Sequence, residues 1–161
     1  MAEPPVVNSS PLIVHAHAGF IDLLQGGGER VLVPDAVQRE IEQYGPDDPA
    51  ARALQDLPWL EVVHCGHVAA DVAACRLDAG ESDVLTWALT HPGAIALLDD
   101  LAGRRCAARL GISVVGTLGL IVDARLRGAI PAARPVVEAI RRAGLYLSDQ
   151  VIDRALSKVG E

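Results

Sequence analysis

The stretch Ala94-Ile95-Ala96-Leu97-Leu98-Asp99-Asp100 decides the reading of the fold. A continuous apolar run with no polar alternation is how a strand buried on both faces of a parallel sheet looks. Two aspartates end it, and in open parallel sheets ligands bind outside the carboxyl ends of the strands. The flanking segments read the same way. Leu101 to Leu110 is helical, and Ile112-Ser113-Val114-Val115 is a short last strand. Upstream, Pro5-Val6-Val7 reads as a first strand, followed by a helix that Ser9 or Ser10 caps and Pro11 opens. That helix carries Leu12, Ile13, Phe20, Leu23 and Leu24 and stops at Gly26-Gly27-Gly28. Val31-Leu32-Val33 is a second strand, and Pro34 and Asp35 open a helix through Tyr44 that Gly45-Pro46 ends. Asp47 to Leu57 is a short helix closed by Pro58, Trp59 to Val63 alternates as a strand does, and Val68 to Arg76 is helical. Asp78-Ala79-Gly80 is a turn from which a helix starts at Glu81 and runs to Thr90. Thr117 to Lys158 is helical in three pieces punctuated by Gly128, Pro131 and Gly144. Strands alternating with helices imply right-handed βαβ units, a parallel sheet of four or five strands and a three-layer α/β/α architecture.

The 161 residues fit one domain, 1–161, with the C-terminal helices 131–158 appended to it. Half the chain is apolar but only 3% is aromatic, so the core is aliphatic and Trp59 and Trp87 are expected in it. The apolar stretches are too short to span a bilayer. Met1-Ala2-Glu3-Pro4-Pro5 lacks the positive start of a secretory leader, so a cytoplasmic protein that avoids membranes is expected. Cys65, Cys75 and Cys106 are too few and too irregular for a disulfide framework, and three reduced thiols are expected. The net charge of −7 argues against blanket binding to nucleic acid. It is unevenly spread: residues 1–100 carry 4 Arg against 16 Asp and Glu, and residues 101–161 carry 9 Arg and 1 Lys against 5 acids. That asymmetry suits a metal site beside a phosphate-binding surface, and equally suits helix faces of different sign.

Near the carboxyl edge of such a sheet fall Asn8, Glu40, Glu81, Asp83, Asp99 and Asp100. Each has a plainer reading: Asn8, Asp99 or Asp100 as a helix cap, Glu81 as a first-turn acid, Glu40 as a solvated residue. Together they differ from any one alone, because carboxylates converging from distant positions repel each other unless a cation joins them. Magnesium suits such oxygen ligands. His15 and His17 point to different faces of a helix and make a poor metal pair. His64-Cys65-Gly66-His67 lacks a second ligand pair at zinc-finger spacing. The glycine run at 26–28 precedes a strand, the reverse of a phosphate-binding loop.

Five segments together resemble PIN-domain proteins. Val6-Val7-Asn8-Ser9-Ser10-Pro11-Leu12-Ile13 is similar to their opening, and Val31-Leu32-Val33-Pro34 with Val37 and Glu40 to their second strand and acidic helix. Leu77-Asp78-Ala79-Gly80-Glu81 with Asp83 and Ala88 resembles their third acidic position. Leu97-Leu98-Asp99-Asp100 with Arg104, Ala107 and Leu110-Gly111 resembles the fourth, and Gly116-Thr117-Leu118-Gly119 with the closing helices resembles a toxin-like subgroup. The resemblance implies a magnesium- or manganese-dependent ribonuclease acting on single-stranded RNA, the toxin of a toxin–antitoxin pair. Glu40, Glu81 and Asp99 would be catalytic and would hold the metal with Asn8, with Asp83 and Asp100 as second choices. Ser9, Arg104, Arg105 and Thr117 would contact substrate. It also implies a small antitoxin-type protein partner. Val136, Val137, Ile140, Leu145 and Leu147 offer apolar surface for a homodimer. Asn8 departs from the family pattern, which has aspartate there. That opens two other functions: a catalytically degenerate module binding RNA or a partner, and a metal-dependent phosphatase acting on a small molecule.

Overall fold

Five short apolar runs become β1 (Val6–Val7), β2 (Val31–Pro34), β3 (Leu60–Val63), β4 (Ile95–Leu97) and β5 (Ser113–Val115). In the computed structural model, which describes residues 2–161, they form one all-parallel sheet in the order β3-β2-β1-β4-β5. Val6 lies opposite Leu32 on one side and Ala96 on the other, and Val7 lies opposite Leu97. β2 pairs with β3 from Val31–Leu60 to Pro34–Val63, and Ala96 pairs with Val114. The chain steps from β1 outward to β2 and β3, then returns to lay β4 on the other side of β1. The order therefore reverses between β1 and β4, where an open α/β sheet places its ligand crevice.

The helices are α1 (Ser9–Ala18), α2 (Asp35–Glu42), α3 (Pro49–Asp56), α4 (Ala70–Ala73), α5 (Ala79–Thr90), α6 (Leu101–Arg109), α7 (Thr117–Leu126), α8 (Arg134–Arg142) and α9 (Asp149–Ser157). Right-handed crossovers put α1 to α3 on one face of the sheet and α5 and α6 on the other. α2 also packs against α5. The main core is aliphatic, with Val6, Val7, Leu12, Val33, Leu85 and Leu98 fully buried, and Trp59 and Trp87 pack against it. A second cluster joins Val14 of α1 and Leu23 to Ile121, Val136, Val137, Ile140, Ile152 and Leu156 of the closing helices.

Several sequence expectations need correcting. α1 starts at Ser9, with Asn8 at the cap position, and it ends at Gly19, whose φ of 80° is left-handed. The apolar spacing continues past that break because Ile21–Gln25 forms a separate 3-10 turn beneath the same core. Between Val68 and Arg76 only Ala70–Ala73 is helical. α5 begins at Ala79 because the Asp78 side chain accepts from the Glu81 N–H and caps it. Cys75 and Cys106 are joined in a disulfide, and only Cys65 is free. The bridge ties the segment after α4 to α6 across 31 residues, a separation with no sequence signature. Val136, Val137 and Ile140 are buried inside the chain in the second cluster, so they offer no surface for self-association. Among the described residues, no helix is long and apolar enough to cross a membrane.

Candidate functional site

Asn8 leaves β1 at the point where the strand order reverses, and its N–H donates to the Leu97 carbonyl of β4 at 3.0 Å. It occupies the cap position of α1, yet its side chain makes no capping hydrogen bond. Its Oδ1 is buried, with the residue 5% exposed, and has no partner. An unpaired buried acceptor costs on the order of 1–3 kcal/mol. The cap reading therefore leaves this side chain unexplained.

What surrounds that oxygen is acidic. The Cβ that Gly80 lacks would lie 3.1 Å from Asn8 Oδ1 and 3.4 Å from Glu40 Oε2. Asn8 from β1 and Glu40 from α2 thus converge over the start of α5. Glu81, the next residue, is 7% exposed. Burial pushes its carboxyl up to about 7, with repulsion from Asp78 and Asp100 and a hydrogen bond toward the Asp100 side chain adding to the rise. Asp100 also caps α6, its Oδ2 accepting from Ala102 N–H at 3.0 Å and Gly103 N–H at 3.4 Å. The Asp99 carboxylate turns to the β5 side, where it accepts from Thr117 N–H at 2.7 Å and Thr117 Oγ1–H at 2.6 Å. Arg104 donates to the Leu98 carbonyl at 3.2 Å. Both Arg104 and Asp99 lie within 3.0 Å of where a Gly116 side chain would begin, so only glycine there leaves both side chains their room.

The site residues expected from sequence therefore separate. Asn8 and Glu40 converge over Gly80, Glu81 faces Asp100, and Asp99 is held by Thr117. Ser9 is buried at the start of α1, and Arg105 is exposed on α6 but does not line the cleft that Arg104 lines. Asp83 joins another group. One oxygen each of Asp35 and Asp83 and the Cys65 sulfur lie within 4.8 Å of one another, in an arrangement that could hold a metal ion. Burial and these two carboxylates push the Cys65 thiol up to about 12. His64 Nδ1 meets Asp35 Oδ2 at 2.7 Å. The sequence showed His64 and Cys65 but not their partners, because Asp35 lies in the preceding crossover and Asp83 sits on α5, 18 residues beyond Cys65. The signal that could have found them is position, since Asp35 follows β2 and Cys65 follows β3 at the same edge. The two histidines of α1 do diverge: buried His15 bonds the Pro11 carbonyl at 2.7 Å, and His17 pairs with Asp48 at 2.8 Å.

The Asn8 group has the donors a hard divalent cation takes: carboxylate oxygens, an amide oxygen and room for water. A cation there would give the unpartnered Asn8 Oδ1 a partner and would favour the ionised form of the buried Glu81. Gly80→Ala tests the cradle with effects of opposite sign. Alanine is favoured over glycine within a helix by up to about 1 kcal/mol, while its methyl group presses on Asn8 and Glu40. Thermal unfolding should show equal or higher stability, and calorimetric titration should show weaker magnesium binding.

No curated protein matches the chain. The family model described as PIN domain matches residues 4–161, nearly the whole length. With its parallel five-stranded sheet and the acidic groups at that sheet's switch point, the chain belongs to the PIN-domain family.

Proposed function

We propose that this protein is a metal-dependent phosphodiesterase that hydrolyses single-stranded RNA, with magnesium or manganese as its ion and a small antitoxin-type protein as its inhibitor. The observation that carries the reading is the buried, unpartnered Asn8 Oδ1 beside Glu40, next to a Glu81 that burial keeps from ionising freely. A bound divalent cation supplies a water of lowered pKa and neutralises charge developing at phosphorus. The chain's own part is to hold and orient. Glu40 and the Asn8 amide oxygen would hold the ion, and Glu81 would join them in its ionised form. Thr117 fixes the Asp99 carboxylate in one orientation. The Arg104 guanidinium, beside Asp99, grips a phosphate of the substrate. The cytoplasm, as the place where such an RNA is met, and a homodimer belong to the same proposal.

Asn8 itself favours a second reading. An amide brings no negative charge, so the fold would bind RNA or a partner without cutting it. A fluorescent single-stranded RNA incubated with the protein and manganese separates the two. The proposal expects cleavage that EDTA stops and Glu81→Gln lowers at least a hundredfold. Binding without cleavage at high protein concentration would establish the module instead. Phosphate release from p-nitrophenyl phosphate, with RNA left intact, would establish a phosphatase.

A further inference from the structure

A cavity opens beside the acidic group rather than at its centre. It is a cleft of about 620 Å³ between β5, α6, α7 and α9, and Asp99 and Arg104 form its inner end. Ligand sites run from about 300 to 1,000 Å³, so nucleotide-sized groups fit. α9 builds the outer wall. Val151, Arg154 and Lys158 fall on one helical face and line the cleft, while Ile152 and Leu156 face the other way into the second core cluster. Arg154 and Lys158 form no ion pair among the described residues. They stand one helical turn apart, roughly 5–6 Å between Cβ positions. Lys158 is the chain's only lysine. The apolar lining includes Leu147 and Val151, the latter 44% exposed.

We infer that this cleft holds the strand of single-stranded nucleic acid that runs away from the bond to be cut, with Arg154 and Lys158 taking successive phosphates and the aliphatic wall taking base faces. The inference rests on the phosphodiesterase reading and extends it to the substrate path. Charge and continuity carry it. A row of cations leads to an acidic centre at which a phosphate can sit only when a cation is present. An acidic peptide would bring carboxylates to Asp99, Asp100 and Glu81 for no purpose. Aliphatic walls contact any base and read no edge pattern, so sequence preference along this path is weak.

A fluorescein-labelled oligouridylate with phosphorothioate linkages, titrated by anisotropy in manganese, tests this. Arg154→Ala with Lys158→Ala should weaken binding at least tenfold and lower the salt dependence of log K by about 1.4, at about 0.7 per phosphate. Arg142→Ala, an exposed change on α8, should stay within twofold of wild type. Manganese affinity of the double variant should be unchanged, which excludes misfolding. The single lysine gives an independent reading: the oligonucleotide should protect Lys158 from acetylation by N-hydroxysuccinimidyl acetate, scored by peptide mass. If the oligonucleotide binds with Lys158 fully reactive and the double variant binds like wild type, the cleft is not the path, although the enzyme reading survives. If wild type neither binds nor cleaves RNA in manganese, the enzyme reading fails and takes the path with it. Protection of Lys158 by polyglutamate but not by the oligonucleotide would overturn the inference in favour of a protein partner.

Discussion

Millimolar magnesium or manganese is expected to raise the melting temperature of the wild-type protein, and Glu81→Gln combined with Asp99→Asn is expected to abolish the rise. Without metal, Glu81 sits buried against Asp78 and Asp100, and its carboxyl is held near 7 rather than its ordinary 4.5. A carboxyl whose folded-state pKa is raised costs nothing below its unfolded value, where it is protonated in both states. The cost grows as pH rises from about 4.5 to about 7 and is complete above that. The metal-free wild type should therefore lose stability across this window relative to Glu81→Gln. A cation bound only by the folded state adds RT ln(1 + [L]/Kd), about 2.7 kcal/mol at a hundredfold excess over Kd. Protons compete for the same oxygens, so the metal-induced shift should be small at pH 5 and larger at pH 7.5. Thermal unfolding at both pH values, with and without metal, checks the claim. A shift of the same size in the double variant would contradict it.

The switch point was legible because periodicity and punctuation agreed there. The apolar run before Asp99 needs burial on both faces, and its partner before Asn8 is an all-apolar pair, buried and flanked by strands on both sides. The acidic positions were legible singly: Asp99 and Asp100 follow a strand and Glu81 lies in the first turn of a helix, while Glu40 sits inside α2. Their pairing was not. Glu81 faces Asp100 while Asp99 turns to Thr117, and that choice is made by the cap of α6 and the start of α7 rather than by local sequence. Asp83 reads as a near-equivalent of Glu81. Two residues along a helix is more than half a turn, however, so it faces Asp35 and Cys65. The disulfide and the burial of Val136, Val137 and Ile140 follow from tertiary packing, which no spacing within those segments encodes.

Asn8→Asp should bind magnesium at least tenfold more tightly than wild type and raise any cleavage of RNA. Two unit charges 4 Å apart interact by about 4 kcal/mol at an effective dielectric of 20, and a divalent ion doubles that. Repulsion from Glu40 and Glu81 and the desolvation of the new carboxylate offset much of it. A remainder of about 1.4 kcal/mol is already tenfold. The same substitution should lower stability when metal is absent, because one more buried carboxylate joins an acidic group. Asn8→Ala should weaken metal binding at little cost in stability, because the asparagine side chain makes no cap bond to lose. A residue serving only as a cap behaves differently: aspartate would replace it without effect, and alanine would cost about 1 kcal/mol.

The central claim is that position 8 belongs to a metal site, and calorimetric titration of manganese into wild type, Asn8→Asp and Asn8→Ala at pH 7.5 measures it directly. The predicted order of affinity is Asn8→Asp, then wild type, then Asn8→Ala, each step several-fold or more. Equal manganese affinity in all three proteins would contradict it.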